Sequence, residues 1–343
     1  MSLTTEKKRP TLLDVARHLS LSRTTVSVVL SNSPAAQAIP EKTRLRITKT
    51  AEEMDYHPHL LARSLRNSRT MSIGIMTPDF SDGYFTLLMS GVEACLVENG
   101  YFYFTVSHFW NSKLLKEYPR MLAERHVEGI LLLNTPIPES RLPMVSVAGH
   151  HFRNGPPTIM LNHHTAALIA IAHLAGLGHK RIAFMVGQSW SQDTKDRWKA
   201  IQAAARNYSI LIDPELVITL DSTEWSADLG YGPMRKLLAR TRDFTALFAF
   251  NDTAAMGAIR ALIDHGLSVP DQISVLGFDD VGNAAFFIPR LTTIRQPLQE
   301  MGRAAAERLL SAINSPDKQL PECIKLEPEL VVRESTALAP TRQ

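Results

Sequence analysis

The sequence predicts a small all-α head followed by a larger α/β body of two lobes. Three observations carry this. Residues 11–66 place apolar side chains at helical spacing and hold almost no strand signal. From Met71 onward, short apolar runs alternate with helix-length segments. The charge divides at the same point: residues 1–70 hold 12 Lys and Arg against 6 Asp and Glu, and the rest of the chain holds 25 against 28. A basic head on a slightly acidic body implies a polyanionic partner for the head alone, although basic ends are also common without one.

The apolar positions of the head fall into three groups: Leu12, Val15, Ala16 and Leu19; Val26, Val29 and Leu30; Leu45, Ile47, Ala51 and Met54. Pro34, Pro40 and Pro58 punctuate them. Helices are expected near 11–18, 22–31 and 41–54, with a short one near 58–66 and a linker at 67–70. Few residues join the first two helices. Ala16 is small where they must approach, Ser20-Leu21 makes the turn, and Ser22 is a good N-cap. With Val26 and Val29 turned inward, Arg23, Thr24, Ser27 and Val28 are left on the outer face. Such a face can enter a major groove, where Arg bonds guanine bidentately and Val meets a thymine methyl. The plainer alternative is a helical hairpin with a solvated face.

In the body, strands are expected at Ser72–Thr77, Tyr101–Ser107, Gly129–Leu133, Met144–Val147, Ile182–Val186, Leu216–Leu220, Ala246–Phe250 and Ile273–Phe278. Helices are expected between most of them, for example at 85–99, 112–125, 164–177, 192–207, 226–240 and 252–266. This alternation favours parallel sheets, and its length favours two Rossmann-like lobes with a ligand cleft at the strand ends. The expected organisation is 1–57 head, 58–70 hinge and linker, 71–337 body, and a disordered tail after Ala337. The helices near 85–99 and 252–266 carry apolar faces (Leu87, Leu88, Val92; Ala255, Ile259, Leu262) that could form a dimer surface or pack on the sheets.

Composition narrows the function classes. No run of about 18 apolar residues occurs, so no membrane span is expected. Met1–Pro10 is polar and basic with no apolar segment behind it, unlike a secretory signal. Cys95 and Cys323 lie far apart and form neither a disulfide framework nor a metal spacing. Together these point to the cytoplasm. Walker, Gly-x-Gly-x-x-Gly and Gly-x-Ser-x-Gly motifs are missing, with only a loose likeness to the last at Gly187-Gln-Ser-Trp-Ser, so an enzyme is disfavoured. The pairs His150-His151 and His163-His164 make poor metal sites, because adjacent side chains point apart. No cofactor is expected. A secreted binding protein would fit the body but not the head.

The stretch Thr11-Leu-Leu-Asp-Val-Ala-Arg-His-Leu-Ser-Leu-Ser-Arg-Thr-Thr-Val-Ser-Val-Val-Leu-Ser-Asn resembles the head of the lac-repressor (LacI/GalR) family. The likeness continues in Ile39-Pro-Glu-Lys-Thr-Arg and in Asp55-Tyr-His-Pro-His-Leu-Leu-Ala-Arg-Ser-Leu-Arg. It implies a DNA-binding transcription regulator, a repressor by expectation, acting as a homodimer on a palindromic operator. By matching position it implies that Arg23, Thr24 and Val28 read bases, beside Ser22 and Ser27 on the same helix. It also implies that Pro58–Arg66 is a hinge helix whose Leu65, with Ala62 beside it, wedges into the minor groove. Lys42, Arg44, Arg63, Arg66 and Arg69 are candidate phosphate partners. Ser20 departs from the family's usual turn glycine, and Ser31–Ala38 is longer than usual.

The body carries four further similar segments: Gly178-His-Lys-Arg-Ile-Ala-Phe, Phe250-Asn-Asp-Thr-Ala-Ala-Met-Gly-Ala, Ser274-Val-Leu-Gly-Phe-Asp-Asp and Leu291-Thr-Thr-Ile-Arg-Gln. They imply a periplasmic-binding-protein-like body with two lobes and three crossing segments. The resemblance implies an effector site made of Tyr84, Phe85, Arg197, Trp225, Asn251 and Asp279. Aromatics with an Arg, an Asn and an Asp suit a sugar or sugar derivative. Structural alternatives exist: Phe85 and Trp225 as core, and Asn251 as a helix cap. Asn162-His163 stands where Asp-Asn is common, Ala166 where Gly is, and Ala148-Gly149 where an Asp or Asp-Arg is. These departures imply an unusual ligand on the first-lobe side, or none.

Overall fold

Thr11 starts the first helix of the head, α1 (Leu12–Leu19), through a reciprocal capping box with Asp14. The helix stops at Ser20, whose φ of 56° is left-handed; Leu21 then donates its N–H to the Ala16 carbonyl. This is why a glycine suits the position and why Ser holds it at a cost. Ser22 caps α2 (Arg23–Leu30) by accepting the Thr25 N–H at 3.0 Å. A 3₁₀ turn, Pro34–Ala38, fills the long Ser31–Ala38 connection, and α3 (Glu41–Glu53) follows. Val15, Ala16, Leu19, Val26, Val29, Ile47 and Ala51 close one small core. Arg46 ties α3 to the turn by donating to the Leu19 carbonyl at 2.7 Å.

The computed structural model describes residues 10–31, 33–56, 69–80, 83–148, 155–189, 191–220, 226–315 and 321–341. It divides the chain into two units, Met1–Met71 and Ser72–Gln343.

The body contains two six-stranded sheets. The first holds β1 (Ser72–Thr77), β2 (Phe102–Ser107), β3 (Gly129–Leu133), β4 (Met144–Val147), β5 (Thr158–Leu161) and β11 (Cys323–Leu326), in the order β11-β5-β4-β3-β1-β2. All its pairings are parallel. The second holds β6 (Ile182–Val186), β7 (Val217–Thr219), β8 (Ala246–Phe248), β9 (Ser274–Asp279), β10 (Thr292–Arg295) and β12 (Glu329–Val331), in the order β12-β10-β9-β8-β6-β7. There only β10–β12 is antiparallel.

Helices α4 (Gly83–Glu98), α5 (Ser112–Glu124) and α10 (Leu298–Asn314) serve the first lobe. The second has α6 (His163–Gly176), α7 (Gln192–Asn207), α8 (Asp228–Arg240) and α9 (Asp252–Asp264). The chain therefore crosses between lobes after β5, after β10 and after β11. In each lobe one helix pair meets at glycines. A Cβ on Gly91 of α4 would collide with the Gln299 carbonyl at the start of α10, and one on Gly257 of α9 with the Ala227 carbonyl just before α8.

Of the two alternatives for the apolar helix faces, packing inside their own lobes holds: Leu88, Val92, Ala255, Ile259 and Leu262 are all 0% exposed, and Leu87 is half-buried. Two expectations need correction. The segment after Ala337 is tied down: the Ala337 carbonyl lies 3.0 Å from His179 Nε2, and Ala339 N–H donates to the Leu177 carbonyl at 2.8 Å. Strands β5, β10, β11 and β12 and helix α10 were not among the expected elements. Those strands have three or four residues each and sit where the chain changes lobe, so each gives too short a period to read.

Asp252, the first residue of α9, holds the second lobe together at the cleft end. Its Oδ1 accepts from Thr293 Oγ1 at 2.6 Å and its Oδ2 from Val281 N–H at 2.9 Å. It joins α9 to β10 and to the loop after β9 while being fully buried. Burial pushes its carboxyl up to about 7, although both hydrogen bonds pull it down. Between its ordinary value of 3.8 and about 7, the folded chain keeps a proton that the unfolded chain releases. This group's contribution to stability is therefore present at low pH and is lost as pH rises through that window. Asp252→Asn mimics the protonated acid. In urea titrations its stability relative to the native chain should improve between pH 5 and pH 7.5; parallel pH profiles would refute the assignment.

Candidate functional site

On α2 the exposed residues are Ser22, Arg23 and Thr24, while Ser27 and Val28 are half-buried. Ser22 is committed to its cap, with its hydroxyl also 2.8 Å from Thr25 Oγ1. Val28 leans partly on the head core. The N-terminal turn of the helix thus presents Arg23 and Thr24 outward, the geometry that a groove-reading helix needs. Ala62 and Leu65, expected at the minor groove, lie outside the described residues.

In the body, Tyr84, Phe85, Asn134, Asp193, Arg197, Phe250, Asn251 and Asp279 line one pocket. Tyr84 and Phe85 open α4 after β1, and Asn134 follows β3. Arg197 rides on α7 after β6, Phe250 and Asn251 follow β8, and Asp279 ends β9. The pocket therefore forms where strand C-termini of both sheets converge, as in open α/β folds generally. Five of the six expected effector residues meet there; Trp225 lies outside the described residues. Phe85 is 1% exposed and meets Tyr84 edge-on, with ring centroids 5.1 Å apart, so it serves as floor as much as wall.

Arg197 is 6% exposed and tightly held. It donates to Asp193 Oδ2 at 2.8 Å, one turn earlier on α7, and to the Phe250 carbonyl at 2.7 Å. Its guanidinium lies 3.8 Å from the Phe278 ring centroid and 4.8 Å from that of Phe250. Its Nε is buried without a hydrogen bond. Asp193 also accepts from His163 Nε2 at 2.7 Å. Burial opposes ionisation of Asp193, but the charges of His163 and Arg197 and the hydrogen bonds from both outweigh it and hold the carboxyl well below the usual range. Asn251 spends its Oδ1 on capping α9, accepting the Ala254 N–H at 2.8 Å. Asp279 accepts from Gln296 Nε2 at 2.6 Å through Oδ1.

Asn134, Asp193 and Phe250 were missed from sequence. Asp193 had a legible signal, an acid four residues before an arginine on one helix face. Asn134 and Phe250 are single residues at strand ends with no spacing to mark them. The departure at Asn162-His163 also resolves. Asn162 caps α6 and bonds Glu327, while His163 turns its ring nitrogen to Asp193.

This arrangement of two almost wholly parallel sheets with a polar pocket at their strand ends, preceded by a helix-turn-helix, has clear relatives. The lacI family of bacterial regulatory proteins matches residues 11–59, and a periplasmic-binding-protein-like domain matches residues 171–336. The HTH-type transcriptional repressor PurR of Aliivibrio fischeri is 32% identical over 334 residues, covering 95% of this chain and 98% of the relative. The lac repressor dimer bound to operator and the anti-inducer ONPF shares the fold, with a TM-score of 0.86 at 24% identity over 96% of this chain and 100% of that one. The transcriptional regulator CelR in complex with cellobiose gives 0.70 at 26% identity, over 95% and 100%. Identity and coverage at this level place the chain in the lacI family of bacterial regulatory proteins, as a DNA-binding transcriptional repressor and not an enzyme.

Proposed function

We propose that the chain represses transcription as a homodimer in the cytoplasm, on a two-fold symmetric operator, with a sugar or sugar derivative as effector. The observation that carries the effector reading is the pair of buried charged groups, Arg197 on α7 and Asp279 at the end of β9, in one aromatic-walled pocket. Both are held in place by partners within the chain, Arg197 by Asp193 and Asp279 by Gln296, and hydroxyl-rich ligands supply donors and acceptors together to such oriented polar groups. Tyr84, Phe85 and Phe250 offer flat apolar faces. Trp225 joins them by sequence resemblance alone. The CelR–cellobiose complex supports the sugar class.

On DNA, Arg23, Thr24 and Val28 read bases, with Ser22 and Ser27 beside them and Lys42 on phosphate. Ala62 and Leu65 act in the minor groove, an assignment resting on sequence alone. A second copy of the chain is favoured by what the body leaves exposed. Phe286 and Ile288 are 85% and 86% exposed on the loop after β9, and Phe102 is 64% exposed on the edge strand β2. Apolar side chains this exposed on a loop and a sheet edge are suited to a partner surface.

Three measurements check these assignments. Arg23→Ala should cost about 1–3 kcal/mol on a duplex selected from a random pool and relax preference at one base pair, whereas Lys42→Ala should weaken all sequences alike. Equal losses on every sequence for Arg23→Ala would remove its base-reading role. Calorimetric titration with a sugar panel should find a ligand for the native chain that neither Arg197→Ala nor Asp279→Asn binds. Undiminished ligand binding by both would reject the site. Sedimentation velocity should show a dimer, and Phe286→Glu with Ile288→Glu should release monomers; a native chain that sediments as a monomer with and without DNA would exclude it.

A further inference from the structure

We infer that Gln296 links the occupancy of the cleft to the relative position of the two lobes. The inference rests on the effector reading of Asp279 given above. The chain passes between the lobes at three places, and each crossing carries a polar side chain: Asn162 after β5, Gln296 after β10 and Glu327 after β11. Two of them bond each other at the surface, Asn162 Nδ2 donating to Glu327 Oε1 at 2.8 Å. That bond is exposed to water, which competes for both groups.

Gln296 differs. It is 5% exposed, and it donates Nε2 to Oδ1 of Asp279, itself 5% exposed, at 2.6 Å. A buried hydrogen bond to a carboxylate is among the strong ones, and one partner here lies in the cleft while the other lies in a crossing.

The neighbours make this pair a rigid lever. Asp279 and Asp280 both have positive φ, 111° and 56°, so the backbone leaving β9 is held in a sparsely populated conformation. Asp280 fixes it from the other side, accepting from Arg295 Nε at 2.8 Å and from Arg333 Nη2 at 2.6 Å. Arg295 in turn reaches Glu329, the first residue of β12 after the third crossing, at 2.9 Å. Two successive residues at the end of β10, Arg295 and Gln296, thus grip two successive aspartates at the end of β9. Immediately beyond Gln296, Pro297 and Leu298 begin α10, which packs on α4 in the first lobe. A ligand hydroxyl that donates to Asp279 Oδ1 competes with the Gln296 amide. Loss or weakening of that bond frees the buried crossing to rotate, and α10 carries the rotation into the first lobe. Coupling of this kind needs a ligand to favour one lobe arrangement over the other, and sharing one carboxylate oxygen supplies the difference.

The pair can be tested without any effector by exchanging its groups. Gln296→Glu places two carboxylates in hydrogen-bond range. Gln296→Glu with Asp279→Asn restores one bond in the opposite sense, the new amide donating to the new carboxylate. Gln296→Leu removes the donor without adding charge, so a folded chain without the bond is available even if Gln296→Glu folds poorly.

Spin labels at Lys113→Cys in the first lobe and Leu211→Cys in the second report the lobe arrangement, in a Cys323→Ser background and diluted with unlabelled chain. Affinity for the selected duplex reports its effect on DNA. Gln296→Glu and Gln296→Leu should each displace the inter-lobe distance and change DNA affinity by about tenfold. The double exchange should bring both readouts back to within about twofold of the native values. Native distances and affinities in Gln296→Leu, or a double exchange no nearer to native than Gln296→Glu alone, would overturn the inference. The calorimetric titration above decides the effector reading of Asp279 separately.

Discussion

The arrangement depends on one constraint: two almost wholly parallel sheets joined by three crossings, with the C-terminal ends of their parallel strands facing one space. A parallel strand must be followed by a crossover, so its C-terminal end is where the chain turns and where side chains are free of the sheet. Asn134, Asn251 and Asp279 lie on or just beyond such ends, and Arg197 sits on the helix that follows one. Because the crossings connect the same two bodies, whatever happens between the strand ends is felt by the three segments that hold the lobes together. Site and hinge are thus two consequences of the same topology.

Buried charge sets the energetic stakes in that space. Arg197 and Asp193 form a pair that is almost entirely out of water, with His163 on its far side. Such a pair contributes modestly as a whole, but removing one member leaves the other charged and stranded, at a cost of about 3–5 kcal/mol. The site therefore enforces its own integrity: Asp193 is kept ionised by its neighbours, and Arg197 is aimed by Asp193 and by the Phe250 carbonyl. Under the proposed effector reading, its rigidity would present a ligand with groups already oriented, so little binding energy would be spent on ordering them.

Much of this was legible in the sequence, and the limits have physical reasons. The short apolar runs at Ser72–Thr77 and Ile182–Val186 were read as strands, and the structure repeats their bounds residue for residue. Capping residues placed α1 and α2 within a residue, because Thr11 and Ser22 have few other conformations in which to satisfy the first N–H groups. The short strands at the crossings were not legible, since three or four residues carry no period. Nor was the destination of the apolar faces of α4 and α9. A helix stripe shows only that something covers it, and here the sheets and partner helices do. Of the cleft charges, Asp279 was visible as an unusual residue type at a strand end, whereas the structure places Arg197 within α7. Asn134 and Phe250 were not, because nothing in their local sequence separates a wall residue from a turn or a core residue.

Backbone conformation adds a last link between sequence and site. Asn134, Ala148, Asp279 and Asp280 all adopt positive φ where strands of the two sheets end. For Asn and Asp this conformation is tolerated, since a short polar side chain can bond locally. Ala148 has no such help, and it stands where the family resemblance leads one to expect an aspartate. The backbone shape at the end of β4 is therefore kept without the side chain that suits it, which is what a fold imposed by the sheet rather than by local preference would do. Strain at these positions costs of order 1–3 kcal/mol each, and it persists only where surrounding contacts overdetermine it. At Asp279–Asp280 those contacts are Gln296, Arg295 and Arg333. The same bonds that hold the strained turn are the ones that reach the lobe crossings, so the turn cannot relax without the crossings responding.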